Sequence, residues 1–309
     1  MINLIKPKDK LVVFYADAHQ YHHNCFIAQL VTTLKSQFSV KAYPYSALEQ
    51  GKVSISSQPV KILSLLKQRN WERAIPLLQK TIGERAISFY DQDPWEAYHD
   101  QASSPGVYKR VSQSLNVRNF LVTSNWWAQY ISRTDDLPVK FVRMGMLPSY
   151  CDTGKKYEDR TIEVGFQGTL HPHRKAFFKR MKDLRVETEY LPSANYLTFL
   201  KNLQNICIYL HDEKADVKIN GVLSYNGIWV KEIEAAARGC FAIRNDDEDS
   251  KAYGIDEIPT VMPFADEREV PDIIENIRSM PLAEKNERMQ TAVALIKKRD
   301  DWMTVVRAL

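Results

Sequence analysis

The stretch from Asn226 to Arg244 sets a cation and a carboxylate close behind a helix start. Trp229, Val230, Ile233, Ala236 and Ala237 recur at helical spacing and give one apolar face. Lys231, Glu234 and Arg238, at i, i+3 and i+7, share another. Ser224 or Asn226 can cap this helix, and Gly239 can end it. The free N–H groups of a helix start attract an anion. Lys231 adds a cation to them, and Glu234, one turn in, can accept hydrogen bonds from a pair of sugar hydroxyls. With Asn226 and Gly227 in the loop ahead, this is the chemistry that holds a nucleoside diphosphate.

Other stretches could contribute. Gly168-Thr169 ends an apolar run and precedes Pro172, a residue suited to the first position of a helix. Glycine there permits close backbone approach to a ligand. Arg174 lies in the first helical turn, where a cation opposes the helix dipole unless an anion is near; a plain βα turn with solvated basic residues is the alternative. Asp91-Gln92-Asp93-Pro94-Trp95 offers a carboxylate as base for an acceptor hydroxyl, or Asp93 as a helix cap ahead of Pro94. Asp17 and His19 are further candidate bases in the loop after the first strand. His19, His22 and His23 lack a ligand set at metal spacing, and no metal is expected. His211 to Lys214 and Asp246 to Asp249 read as surface loops. Trp126-Trp127 opens a helix in which core packing accounts for at least one indole.

Alternating strands and helices must position these residues. Strands are expected at Leu11–Tyr15, Val40–Tyr43, Ala86–Tyr90, Asn119–Ser124 and Val139–Val142, with helices from Phe26 and near Trp126, and one or two helices over Ile62–Thr81 interrupted at Pro76. After a polar linker, 148–160, the alternation restarts: strands at Ile162–Phe166, Val186–Tyr190, Ile206–Leu210, Cys240–Ile243 and Thr260–Met262, helices at Pro172–Asp183, Ala194–Leu203, Glu269–Arg278 and Leu282–Lys298. The pattern predicts an α/β protein with parallel sheets. Its 309 residues allow two domains, set at 1–150 and 151–298, with 299–309 a helix crossing back to the first. The net charge of +4 permits an anionic partner without requiring one. The four cysteines form no paired motif. With no apolar run of membrane-spanning length and a polar start, a cytoplasmic protein without integral membrane association is expected.

Lys231, Glu234-Ala235 and Ala237-Arg238-Gly239, in that order, resemble the donor-binding helix of GT-B glycosyltransferases of the group-1 type, in particular the CgeB-like, spore-maturation-protein-type family. Val164 to Thr169, His171 to Arg174 and Asp300-Asp301-Trp302 extend the resemblance over the second half of the chain. Many such enzymes carry two glutamates separated by seven residues; Glu234 matches the second, and Asn226 stands at the first. The resemblance implies two Rossmann-like domains facing across a cleft. It implies transfer of a hexose or pentose from a nucleotide-diphosphate sugar, held by Gly168, Thr169, Arg174, Asn226, Gly227, Lys231 and Glu234, to an acceptor hydroxyl. Neither metal nor cofactor is expected, and one of Asp17, His19, Asp91 and Asp93 is the base if the reaction inverts. A polysaccharide, a small molecule and a modified DNA base all stay open as acceptor. A catalytically inactive sugar-nucleotide-binding protein is the alternative.

Overall fold

A computed structural model describes residues 9–17, 26–55, 58–102, 104–212, 218–219, 222–223, 230–247 and 249–309, with only the backbone at Phe26, Val222 and Leu223. The chain divides into two compact units. One comprises Met1–Arg143, Lys218–Val222 and Asp301–Leu309; the other comprises Met144–Val217 and Leu223–Asp300.

The first unit contains β1 (Lys10–Tyr15), α1 (Phe26–Gln37), β2 (Ser39–Pro44), α2 (Tyr45–Glu49), β3 (Lys61–Leu65), α3 (Trp71–Ile82), β4 (Ile87–Asp91), α4 (Val107–Ser114), β5 (Val117–Val122), α5 (Asn125–Asp135) and β6 (Val139–Phe141). Its strands lie in the order β2-β1-β3-β4-β5-β6 and pair in parallel. Leu11 to Tyr15 are all buried. That suits an uninterrupted apolar run in a strand covered on both faces. Trp71, Ala74, Leu78 and Ile82 form the buried face of α3. Trp71 packs among Phe89, Tyr108 and Phe120 with ring centroids 5.0–5.9 Å apart.

The second unit contains β7 (Ile162–Gln167), α6 (Pro172–Asp183), β8 (Glu189–Leu191), α7 (Tyr196–Leu203) and β9 (Ile206–His211). The chain then passes through Lys218–Val222, which belongs to the first unit, where two short strands, β10 (Lys218–Ile219) and β11 (Val222–Leu223), pair with each other. Then come α8 (Val230–Ala237), β12 (Phe241–Asn245), α9 (Ser250–Tyr253), β13 (Val261–Phe264), α10 (Val270–Ser279) and α11 (Leu282–Lys298). The sheet order is β13-β12-β9-β7-β8, again parallel. The last helix, α12 (Met303–Ala308), belongs to the first unit.

Each sheet reverses its direction of winding once, between β1 and β3 in the first and between β7 and β9 in the second. Ligands of such sheets bind beyond the carboxyl ends of the strands at that reversal.

Two stretches depart from the sequence reading. Ile62–Thr81 is not one or two helices: Lys61–Leu65 is a central strand between β1 and β4, and α3 follows it and runs through Pro76 without a break. A short apolar run does not separate a buried strand from a buried helix. The polar segment 148–160 is folded into the second unit rather than linking the two. Arg160 anchors it: the guanidinium is buried and donates to the carbonyls of Leu203, Ile206, Thr153 and Arg238 at 2.6–3.2 Å. Gly239, at φ 76°, also serves this packing, since a Cβ there would stand 2.8 Å from Arg160 Nη2.

Candidate functional site

In the second unit, Gly168, Thr169 and Arg174 follow the carboxyl end of β7, and Lys231 and Glu234 lie on α8. Gly168 follows β7, and its carbonyl accepts from the Tyr190 hydroxyl at 2.9 Å. Thr169 Oγ1 lies 3.2 Å from Ser193 Oγ. Arg174, in the first turn of α6, donates from Nη1 to the Thr169 carbonyl at 3.0 Å and from Nε to the Asp212 carbonyl at 3.5 Å. Its guanidinium lies over the Phe166 ring, 5.5 Å from the centroid. Arg174 therefore bridges the loops after β7 and β9, the two strands that flank the winding reversal.

Helix α8 is buried nearly all round, and Lys231 is its one partly exposed residue. The face that Glu234 shares with Lys231, apart from the apolar one, is not a solvent face there, because the Glu234 side chain is fully buried. The Lys231 ammonium pairs with Glu234 Oε2 at 3.2 Å and lies 3.8 Å from the centre of the Phe199 ring. Among the described residues no donor reaches Glu234 Oε1. A buried carboxylate oxygen without a donor is costly. Asn226 and Gly227 lie outside the described residues.

Sequence reasoning passed over a neighbouring group. Glu232, His211 and Arg244 are each at most 1% exposed. Glu232 Oε1 accepts from Arg244 Nε at 3.2 Å and lies 3.1 Å from His211 Nδ1. Burial acts to raise the Glu232 carboxyl, yet His211 first and then Arg244 hold it below the usual carboxylate range. His211 is thus no surface loop residue. The acidic run after β12 is likewise structured: Asp247 pairs with Arg244 and accepts the N–H groups of Asp249 and Ser250 at the start of α9. A charged residue inside the apolar strand Phe241–Asn245 was the available signal.

In the first unit a cleft opens beyond β1, β3 and β4, lined by Tyr15, Leu65, Gln68, Tyr90, Asp91 and Asp93 among others. Asp91 is buried and accepts from Gln68 Nε2 at 2.9 Å, the Tyr108 hydroxyl at 2.7 Å and the Asp93 N–H at 3.0 Å. Burial pushes it up to about 6, against those hydrogen bonds. Asp93 begins the short 3-10 turn Pro94–Ala97, but its side chain makes no capping bond, and its Oδ1 has no donor among the described residues. Burial, then the charges of Asp91 and Glu96, push it up to about 7. Asp17 is engaged elsewhere, accepting from Ser46 N at 2.8 Å and Ser46 Oγ at 2.7 Å at the start of α2. His19 lies outside the described residues. Trp127 is in the core, while half-buried Trp126 stacks on Tyr130 with centroids 5.2 Å apart.

Two parallel-sheet Rossmann-like units in one chain are the fold of GT-B glycosyltransferases. Among the solved structures that share it over nearly the whole chain, three are informative. An α-glucosyltransferase in complex with UDP and a 13-mer DNA containing an HMU base aligns at TM-score 0.63 and 10% identity, covering 97% of this chain and 98% of its own. HepE of Anabaena, in complex with UDP and glucose, aligns at 0.58 and 12%, covering 96% and 97%. A DNA-modifying β-glucosyltransferase, solved with and without uridine diphosphoglucose, aligns at 0.57 and 9%, covering 96% and 99%. No protein-family model and no curated protein matches the sequence. Among the described residues, no helix is long and apolar enough to cross a membrane.

Proposed function

We propose that the protein is a glycosyltransferase that moves a sugar from a nucleotide-diphosphate donor to an acceptor hydroxyl. The second unit holds the donor and the first holds the acceptor. Glu234 carries this reading: a fully buried carboxylate whose Oε1 receives no hydrogen bond among the described residues, in the middle of α8 and one turn in from Lys231. Two ribose hydroxyls supply the donors it lacks, and they release Lys231 from the carboxylate. Lys231, Arg174 and the helix start then neutralise the leaving diphosphate without a metal ion. Similar structures that hold UDP, or were solved with uridine diphosphoglucose, support a uridine nucleotide as donor. Lys231, Glu234-Ala235 and Ala237-Arg238-Gly239 support a place among the group-1-type, CgeB-like enzymes, working in the cytoplasm.

The test is calorimetric titration with a panel of nucleotide sugars, followed by an assay for released nucleotide. Glu234→Ala should weaken donor binding ten-fold or more, since a hydrogen bond to a charged group contributes about 1.5–3 kcal/mol. Unchanged affinity in that variant refutes the ribose role. Binding with no turnover, acceptors present, would instead favour a catalytically inactive sugar-nucleotide-binding protein.

The acceptor reading follows the first unit. Asp91, Asp93 and Glu96 line its cleft together with Lys67 and Arg69. That mixed lining offers acceptors and donors for the hydroxyls of an acceptor, and neither sign of charge prevails in it. Two of the similar structures are a glucosyltransferase with bound DNA and a DNA-modifying enzyme, which keeps a modified DNA base in the acceptor panel.

A further inference from the structure

The second unit buries a set of charges that the donor reading does not use. Glu232 comes from α8, His211 from the end of β9 and Arg244 from β12. Arg244 and His211 share Glu232 Oε1, at 3.2 Å and 3.1 Å. Arg244 continues to Ser250 Oγ at 2.7 Å and to Asp247, which holds the start of α9. On the other side, His211 precedes Asp212, whose carbonyl accepts from Arg174, and Arg174 reaches back to Thr169. Polar contacts therefore follow one another from the carboxyl end of β7 through β9 and α8 to β12, and the Glu232–Arg244 hydrogen bond is the directional one at α8.

Buried ion pairs are a poor source of stability: well-packed apolar side chains of similar volume commonly serve as well or better. What apolar contacts lack is direction. Glu232 follows Lys231 and stands two residues before Glu234, so a rotation of α8 that displaced one would displace all three. We infer that Glu232 is a positioning residue of the donor site. Through Arg244 and His211 it fixes the rotation of α8, and with it the places of Lys231 and Glu234. This rests on the donor reading above. A network that only stabilised the fold would leave donor affinity unchanged once stability was restored.

The experiment uses the full chain, with UDP-glucose as titrant well below the thermal midpoint of every variant. Glu232→Ala strands the Arg244 guanidinium in the interior and lowers the midpoint, so it serves as the destabilised reference. Glu232→Met/Arg244→Met replaces the pair with apolar side chains of similar length and brings the midpoint back toward that of the wild type. Its affinity for UDP-glucose should nevertheless stay at least ten-fold weaker, because misplacing a contacting group by about 1 Å has effects of that order. A double variant with restored midpoint and wild-type affinity overturns the inference. If the double variant is not restored, Glu232→Gln decides: it keeps the shape and removes the charge. At least three-fold weaker binding supports the inference, and wild-type binding overturns it. Wild-type protein that binds no nucleotide sugar overturns the donor reading itself. Wild-type binding that Glu234→Ala weakens and the Glu232 variants leave intact overturns the positioning role alone.

Discussion

Asp91 and Asp93 stand two residues apart in differently furnished surroundings. Asp91 has three hydrogen-bond donors, whereas Oδ1 of Asp93 has none among the described residues. Both carboxyls are raised in the folded chain, to about 6 and about 7. An unfolded aspartate releases its proton near pH 4, roughly. Below that pH both states hold their protons and the contribution to stability is whole; as pH rises through the folded values it is lost. The thermal midpoint of the first unit should therefore fall between about pH 4 and pH 7, at about 2–4 °C per kcal/mol for a unit of this size. Asp93→Asn should flatten that fall. A midpoint that climbs across the same range, or a slope that Asp93→Asn leaves alone, would refute it. The chemistry of single residues was partly legible in the sequence. Lys231 and Glu234 share a helical face by spacing alone, and the structure pairs them at 3.2 Å. Glu232 was not legible, because its partners His211 and Arg244 lie on other elements, and one-helix periodicity says nothing about contacts between elements.

Elements with a single strong signal were read correctly. Pro172–Asp183 and Leu282–Lys298 have the bounds the sequence suggests, the first with Pro172 at its opening position. β3 was missed because its short apolar run, Lys61–Leu65, stands only a few residues ahead of α3, and such a run reads as well for a helix turn as for a buried strand. Pro76 marked a break that does not occur. Inside α3 it is exposed and cannot donate to the carbonyl of Glu72. The helix tolerates it because its opposite face, Trp71 to Ile82, is anchored in the core. Pro76→Ala should restore that hydrogen bond and stabilise the first unit by about 1–3 kcal/mol. Chemical denaturation would show this as a raised midpoint at unchanged slope; an unchanged or lowered midpoint would mean that the proline's restriction of the unfolded chain outweighs the missing bond.

At the scale of the whole molecule, the first unit is not one stretch of chain. Its last piece, Asp301–Leu309, buries Trp302, Val305 and Leu309. It is tied to the rest of that unit by Thr304 Oγ1, which accepts from Arg143 N at 2.7 Å, and by the Ala308 carbonyl, which accepts from Asn119 Nδ2 at 3.3 Å. Removing residues 301–309 should destabilise the first unit by several kcal/mol, since each large apolar side chain contributes about 1.5–3 kcal/mol as an upper figure. Hydrogen exchange across β5 would register the loss, and protection equal to that of the full chain would refute it. The same segmentation bears on synthesis. Domains usually finish folding in the order in which they leave the ribosome. Here residues 144–300 emerge before the helix that completes the unit begun by the first 143 residues. At about 5–20 residues per second, that unit waits roughly ten to thirty seconds for Trp302. During that interval the site of α12 on β5 and α1 lacks its cover, so the apolar surface exposed longest belongs to the unit that precedes residue 144 rather than to the one that follows it.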